Sequence, residues 1–566
     1  MTYCPRSFTC FAVALAAAML CPPARAAEPA KPKPAAAAAN GAFVRPELPR
    51  ESVDTAMPQQ SGTVTPVAAN GDLQAAIDAA KPGDTLVLEA GATYTGSFRL
   101  PKKDGDGWVV ITTSAEKQLP TAGTRIHPDK HAALMPKIVT GDGQPAVRVD
   151  VGAHHYRFIG IEFTAAPSVK RVSAIVELSH KSTKLEDVPS HFVFDRVYVH
   201  GNPKLDSQRG IALNSRHTAV VDSWIDECHI HGADSQAICG WNGPGPFKIV
   251  NNFLEAGAEN IMFGGAKNSA ETMVAADIEV RRNHLYKNPA WFGLKYPDNW
   301  VIKNVFEIKT ARRVLFEGNV LEHCWAEGQT GFAFVLKSSS EDQGQPWDTT
   351  TDLTIRHNRV INCLNGVSIA RWSSSGPVAP GAEPTSRILF EHNLFERFGK
   401  ESDYAKNARG GILFQIAGRD LSFVHNTAWA DYSVLSLTSE SDNLVVLDNL
   451  VTPGDYFLHA DGGKGGPGWT GALTSHVRGD GSRMEGNTII REGSDRARKT
   501  GEKPFPPNNK WFDSFKEAGV DPKTFRLAPS SAAKGTATDQ SNPGADVDAV
   551  MKATEGVRSE PRAGRE

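Results

Sequence analysis

From about residue 190 to residue 490 the chain repeats one short arrangement of apolar and polar positions. An Asn or Asp stands in a fixed slot, with an apolar residue three positions before it and another two positions after. The slot falls at Asp195, Asp222, Asn252, Asn283, Asn319, Asn358, Asn393, Asn426, Asn449 and Asn487. All ten copies keep both apolar positions, as in Val280 and Leu285, or Ile355 and Val360. Most copies are also apolar five positions before the slot, among them Ile278, Leu353 and Ile388. Apolar residues at −5 and −3 alternate with period two, so they line one face of a strand. Across the slot the phase slips by one, which is what a sharp bend between two strands requires. Asn suits such a bend because it tolerates left-handed backbone and bonds to neighbouring backbone groups. Slots recur every 23 to 39 residues with no 3.6-residue periodicity between them. Each repeat is therefore one coil of strands, and the coils stack. At about 4.8 Å per coil, ten copies predict an all-β rod roughly 50 Å long.

The flanks fit a rod with ends. Asn70 to Ile77 reads as a capped amphipathic helix, followed by a strand over Thr85–Leu88. The segments Phe525–Pro529 and Gly544–Asp548 read as a closing cap, and the polar tail after about Met551 is expected to fray. Residues 1–26 have the form of a cleaved export signal: Arg6, the apolar run Phe8 to Leu20, then Ala24-Arg25-Ala26. Residues 27–61, rich in Ala and Pro, are expected to be a poorly ordered tether. The division is then signal 1–26, tether 27–61, rod 62–495, and C-terminal cap and tail 496–566, in a periplasmic or extracellular protein.

Composition narrows the class further. The 566 residues carry a net charge of −3, which becomes −5 once Arg6 and Arg25 leave with the signal. Bulk attraction to nucleic acid is excluded on that balance. Mean hydropathy is −0.33, and the only long apolar run is the signal, so no membrane span is expected. Four cysteines remain after cleavage, too few for a disulfide scaffold. Cys324 and Cys363 each lie five residues past a slot, in equivalent places on neighbouring coils. A disulfide is possible by spacing, but parallel in-register side chains rarely present suitable torsions, so a buried pair of stacked thiols is expected. Nothing calls for an oligomer, and a monomer is expected.

Candidate chemistry lies on the strand after the long loop of each coil. Aligning Val305–Lys309, Ala333–Lys337 and Val367–Arg371 points Lys309, Lys337 and Arg371 outward from adjacent coils as a cationic stripe. Glu259, Asn260 and Glu307 set carboxylate and amide groups beside it, and Trp241 and Trp300 are placed to stack on sugar rings. A repeating positive strip suits an acidic polysaccharide. Cleaving a uronate by elimination needs a neutralised carboxylate, a base for the adjacent proton and an acid for the leaving oxygen. A Lys beside another cation is suited to the base. Lys309 and Lys337 are the candidate base and acid; Arg371, Glu259, Asn260, Trp241 and Trp300 are the candidate binding residues. The alternative is a non-catalytic carbohydrate-binding or surface-structural protein using the same strip. Hydrolysis with paired acids is disfavoured, since no Asp-Asp pair or Gly-His-Gly motif occurs.

The ten-copy slot pattern resembles the right-handed parallel β-helix (pectate-lyase-like) superfamily, in which asparagines stack along one corner. The resemblance implies a single-stranded right-handed parallel β-helix with an N-terminal helical cap. The segments Asp234–Ile238, Gly240–Phe247, Glu259–Gly265, Arg281–His284 and Trp300–Lys309 are similar to a group of secreted bacterial β-helix proteins. Locally, Asn304 to Ser338, with Lys309, Gly318-Asn319-Val320 and Gly331–Lys337, resembles the alginate lyase/chondroitinase B family. That family uses a Lys base, an Arg on the next coil, and calcium held by Asn and acidic ligands. The resemblance implies Lys309 as base, with Lys337 standing where Arg is expected. It also implies calcium as cofactor, with Asn304 and Glu307 as its ligands.

Overall fold

Each apolar position of the repeat lies over its counterpart one coil on. Ile278 pairs in register with Val314, then Leu353, Ile388 and Leu421; Val280 pairs with Phe316, Ile355, Phe390 and Phe423. Past the bend, Leu254, Leu285, Leu321, Val360, Phe395, Ala428, Val451 and Ile489 form a third column. All are buried in one continuous core. The computed structural model describes residues 43–562 except 180, 340–344, 374–377, 407–409, 461–468 and 494–506. The export signal and residues 27–42 of the expected tether lie outside the described residues.

A typical coil has three strands. One precedes the bend (Ala276–Arg281, then Ala311–Glu317 and Thr350–Arg356), and one follows it (His284–Tyr286, Val320–Cys324, Arg359–Cys363). The third comes after the long loop (Phe306–Ile308, Phe332–Lys337, Asn365–Ala370). Every pairing between these strands is parallel, with the post-bend strands in a sheet of their own. The chain is a right-handed parallel β-helix. No described helix is long and apolar enough to cross a membrane.

The asparagine ladder runs unbroken from Asn252 to Asn487. The Oδ1 of each Asn accepts both the backbone N–H and the side-chain N–H of the Asn one coil earlier, at 2.8–3.2 Å. Each Nδ2 also donates to a carbonyl of the strand below, such as Asn319 to Val280 O at 2.9 Å. The left-handed residue is not the Asn but its predecessor: His357, His392 and His425 have φ of 54°, 52° and 52°. Asn is therefore needed for its side chain. That corrects the first two slots. Asp222 occupies the left-handed position, with φ 54°, and Ser223 takes the ladder place, its N–H donating to Asn252 Oδ1 at 2.9 Å. Asp195 lies two residues short, in register with Val221, and instead holds Arg157 and Arg196, each at 2.7 Å. At the other end Asn509 adds a rung above Asn487, because the coils continue to the strand Lys510–Phe512.

The helix Leu73–Ala79 is capped by Asp72, whose side chain accepts from Ala75 N at 2.9 Å, and it buries Leu73 and Ile77 in the core. The strand Thr85–Leu88 forms as expected, but Val64–Val67 already pairs with it. Both flanks depart from expectation. Residues 43–61 are not loose: they run extended along the rod toward its N-terminal coils. Arg45 pairs with Glu391 at 3.0 Å, Glu47 N donates to Asp352, Arg50 N to Asp277, and Arg157 donates to the Thr55 carbonyl. Side chains from several coils thus take up backbone groups that have no strand partner. The tail past Met551 does not fray either. Arg558 pairs with buried Glu322 at 2.6 Å, Ser559 N donates to His284, and Arg562 donates to the Tyr198 hydroxyl at 2.6 Å. Cys324 and Cys363 are register partners, buried and free.

Candidate functional site

The outer face of the third strand column starts apolar. Ala212, Cys239 and Met262 follow one another in register and pack with Ala174 and Trp241. On the next coil the same position is Glu307. Two residues further along that strand stands Lys309; Ile308 pairs with Leu336, which puts Lys337 on the neighbouring coil in the equivalent place. Gly264 and Gly265, with φ of 83° and 91°, end the strand below and make room for Lys309. A Cβ at Gly265 would lie 2.8 Å from Lys309 Cδ.

Both ammonium groups converge on one carboxylate. Lys309 Nζ lies 3.6 Å and Lys337 Nζ 3.5 Å from Glu307 Oε1. Their side chains are 17% and 24% exposed, whereas Glu307 and Glu259 are fully buried beneath them. Glu259 accepts from Gln236 Nε2 at 2.7 Å and has Lys303 Nζ 3.9 Å away, itself 2.5 Å from Asp234. Asn304 Nδ2 donates to Glu307 Oε2 at 3.4 Å. Burial, reinforced by the Glu307 and Asp234 carboxylates, pushes the Glu259 carboxyl up to about 8 against the pull of Lys303 and Lys309. Burial also works upward on Glu307. There the Lys309 and Lys337 ammonium groups and a hydrogen bond from Glu259 outweigh it and hold the carboxyl below its ordinary value. Near neutral pH the pair is thus one neutral acid beside one carboxylate.

Four buried oxygens here have no hydrogen-bond partner: Gln236 Oε1, Glu259 Oε1, Asn304 Oδ1 and Glu307 Oε1. A proton shared between the carboxyls, or a hard cation, satisfies such acceptors. An all-oxygen set from carboxylates and amides is the kind calcium takes, so the residues present fit that ion.

The structure sorts the expected residues into two groups. Lys309, Lys337, Glu259, Glu307 and Asn304 are brought together. Arg371 is not: Lys337 pairs with Ala370, so Arg371 falls one residue beyond the stripe and binds Asp442 at 2.9 Å. Asn260 is also outside the site, since it is buried and donates to the carbonyls of Leu254 and Tyr286, tying two strand ends together. Trp241 flanks the site on earlier coils, half-buried, with the Arg209 guanidinium 5.2 Å from its ring. Trp300 lies elsewhere, 6% exposed, stacked 3.8 Å from His229 and packed with Trp291 and Trp325. It lines a cavity of about 620 Å³ with Glu227, His231 and Arg562.

Lys303, Asp234 and Gln236 complete the site and were not singled out from sequence. Gln236 opens the strand Gln236–Gly240 with Asp234 two residues before it, and Lys303 lies three residues before Phe306–Ile308, so position ahead of a site strand was the available signal. Lys287 gave none. It is fully buried, donates to the carbonyls of Gly257 and Ala258 at 2.7 and 2.8 Å, and is lowered by burial to about 8.

Fold and site together define a parallel β-helix protein with two lysines over a buried acid pair. No family model matches the chain, and no curated protein matches it. Among solved structures it is similar to AlyGC, an alginate lyase of the PL6 family, with TM-score 0.49 and 12% identity over 88% of this chain. The chain spans 59% of the length of AlyGC. It is also similar to a mannuronic acid specific polysaccharide family 6 lyase from human gut microbiota, with TM-score 0.39, 12% identity and coverage of 81% and 86% of the two chains. The Dettilon tailspike protein is a third, with TM-score 0.34, 12% identity and coverage of 79% and 68%.

Proposed function

We propose that this chain cleaves a uronate-containing polysaccharide by β-elimination at Lys309 and Lys337. The observation that carries the reading is the convergence of both ammonium groups on buried Glu307, 3.6 and 3.5 Å away, next to a Glu259 held neutral. Lys309, once its own proton has left to solvent, takes the proton from the carbon beside the sugar carboxylate. The released electron pair forms the carbon–carbon double bond, the bond to the glycosidic oxygen breaks, and that oxygen takes a proton from the Lys337 ammonium. Glu307 stabilises the ammonium that Lys309 becomes, and its charge is available without reorganisation because it is already buried in place. Trp241 and Arg209 extend the face along earlier coils, where further sugar units would lie. Asn304, Glu307, Gln236 and Glu259 are the residues that would hold calcium, with Glu259 giving up its proton, and the ion would supply positive charge beneath the two lysines. The export signal read at residues 1–26 would carry the protein to the periplasm or beyond.

The test is incubation of the mature protein with alginate, pectate and glycosaminoglycans, with and without calcium, followed by the ultraviolet absorbance of the unsaturated product. Absorbance rising on at least one polymer supports the reading. Retention of a polymer with no product from any of them would establish a binding protein instead.

A further inference from the structure

We propose a second site, for a divalent transition metal and zinc foremost, where the C-terminal arm meets the rod: His425, Asp448 and Asp539. His425 and Asp448 occupy successive left-handed corner positions, with φ of 52° and 59°, just ahead of the ladder residues Asn426 and Asn449. The third member comes from the arm, in the turn Thr538–Ser541. One ligand atom from each lies within 4.8 Å of the others, the one such group of three among the described residues.

Two observations point to an ion rather than to direct contact. His425 Nε2 stops 3.7 Å from Asp448 Oδ2 and 3.5 Å from Asp539 Oδ2, too far for good hydrogen bonds. Two ligands each about 2.1 Å from a tetrahedral zinc stand about 3.4 Å apart, close to this spacing. Moreover, the imidazole is buried, 5% exposed as a residue, with Nε2 turned toward both carboxylates without a good hydrogen bond to either and Nδ1 unpartnered. The carboxylates, by contrast, are already aimed. Thr538 N and Oγ1 donate to the two oxygens of Asp448, both at 2.7 Å, and Ser541 N donates to Asp539 Oδ1 at 2.9 Å. Such outer contacts orient metal ligands. One imidazole nitrogen with two carboxylates favours zinc over calcium or magnesium, which take oxygen. Asp539 is 58% exposed at the side chain, which leaves an open side for a water ligand.

The site would staple the arm to the rod. Gly544 N and Thr538 already donate to Asp448, and Ala545 N to Thr427 Oγ1, so a metal at Asp539 adds a further tie between the same segments. It is separate from the lysine site and its occupancy does not bear on the elimination.

The experiment strips the mature protein with EDTA, adds zinc, magnesium or calcium, and reads bound metal by mass spectrometry, thermal unfolding, and hydrogen exchange over 537–545. One zinc per chain is expected, with a raised Tm and slowed exchange in that segment that magnesium does not reproduce. Asp539→Asn, at an exposed position, should keep the metal-free Tm and weaken zinc at least tenfold. Thr538→Val, which removes only an orienting hydroxyl, should weaken it about tenfold or more. Failure of the wild type to retain zinc overturns the proposal. So does wild-type zinc affinity in Asp539→Asn, which would move the metal elsewhere, for instance to the stacked column of His155, His191 and His217.

Discussion

Asn358 sits mid-ladder, fully buried, and its replacement by alanine removes four hydrogen bonds at once. Its Oδ1 accepts from Asn319 N at 2.8 Å and Asn319 Nδ2 at 3.2 Å, and its Nδ2 donates to Phe316 O at 3.1 Å and Asn393 Oδ1 at 2.9 Å. Three of the groups left behind are not stripped bare. Asn319 Nδ2 keeps Val280 O, Asn393 Oδ1 keeps Asn358 N, and Phe316 belongs to the strand ladder. The Asn319 backbone N–H, however, loses the acceptor it had. A buried donor left unmet costs about 1–3 kcal/mol, and three weakened bonds add roughly 0.5–1 kcal/mol each. Together these give a loss of about 2.5–6 kcal/mol, at or beyond the upper end of ordinary point changes. Asn509, the last rung, is only half-buried, so water can replace what its side chain gives up; Asn509→Ala should cost about half as much. Urea unfolding of the two variants beside the wild type measures this, since the midpoint shifts while the slope stays constant. A loss below about 1 kcal/mol for Asn358→Ala, or one no larger than for Asn509→Ala, would show that the ladder marks the corner without holding it.

Three further outcomes follow from particular contacts. Gly265→Ala sets a Cβ 2.8 Å from Lys309 Cδ at a φ of 91°, so turnover should fall about 10²-fold with the cooperative unfolding transition retained; unchanged turnover would mean that Lys309 need not be held there. Arg371→Ala should alter kcat/KM by less than about threefold, because its guanidinium is on Asp442; a larger loss would return it to the site. Burial raises the Glu322 carboxyl, but hydrogen bonds from His284 and Arg558 overcome that and hold it at about 2. Because its folded value lies below the unfolded one, its stabilisation is present above about pH 4.5 and is lost as pH falls toward about 2, on the order of 2–3 kcal/mol. Hydrogen exchange over 556–562 should accelerate across that window, and equal protection at pH 7 and pH 3 would contradict it.

The coil stack could be read from the chain because the same constraint is restated at Ile278, Val314, Leu353 and Ile388, and each copy corrects errors in the last. Where repetition is weak, the reading drifts. Asp195 and Asp222 passed the apolar test yet miss the ladder by two residues and one, because the early coils supply Ser223 and no Asn. For Arg371 the signal is in the alternation itself: Val367 and Ile369 point inward, which puts Ala370, not Arg371, beside Lys337. Lys303 and Glu259 are a different case. Their approach depends on the course of the loop between residues 264 and 304, which no local period encodes. The docking of residues 43–61 and of the tail past Met551 was hidden for a similar reason. Proline and alanine in residues 27–61 read as a linker, and contacts such as Arg45 to Glu391 join positions 346 residues apart. Burial hid the chemistry of Glu259 as well, since a glutamate at a strand start reads as an exposed charge.

The central claim is that the Lys309–Lys337 pair performs an elimination. The most direct measurement is the initial rate of ultraviolet absorbance on the best polyuronate for wild type and Lys309→Ala, with folding of both confirmed by their unfolding midpoints. The account predicts unsaturated product from the wild type and a rate at least about 10²-fold lower for the variant. Equal rates in the two proteins, or no product from the wild type on any polyuronate, would contradict it.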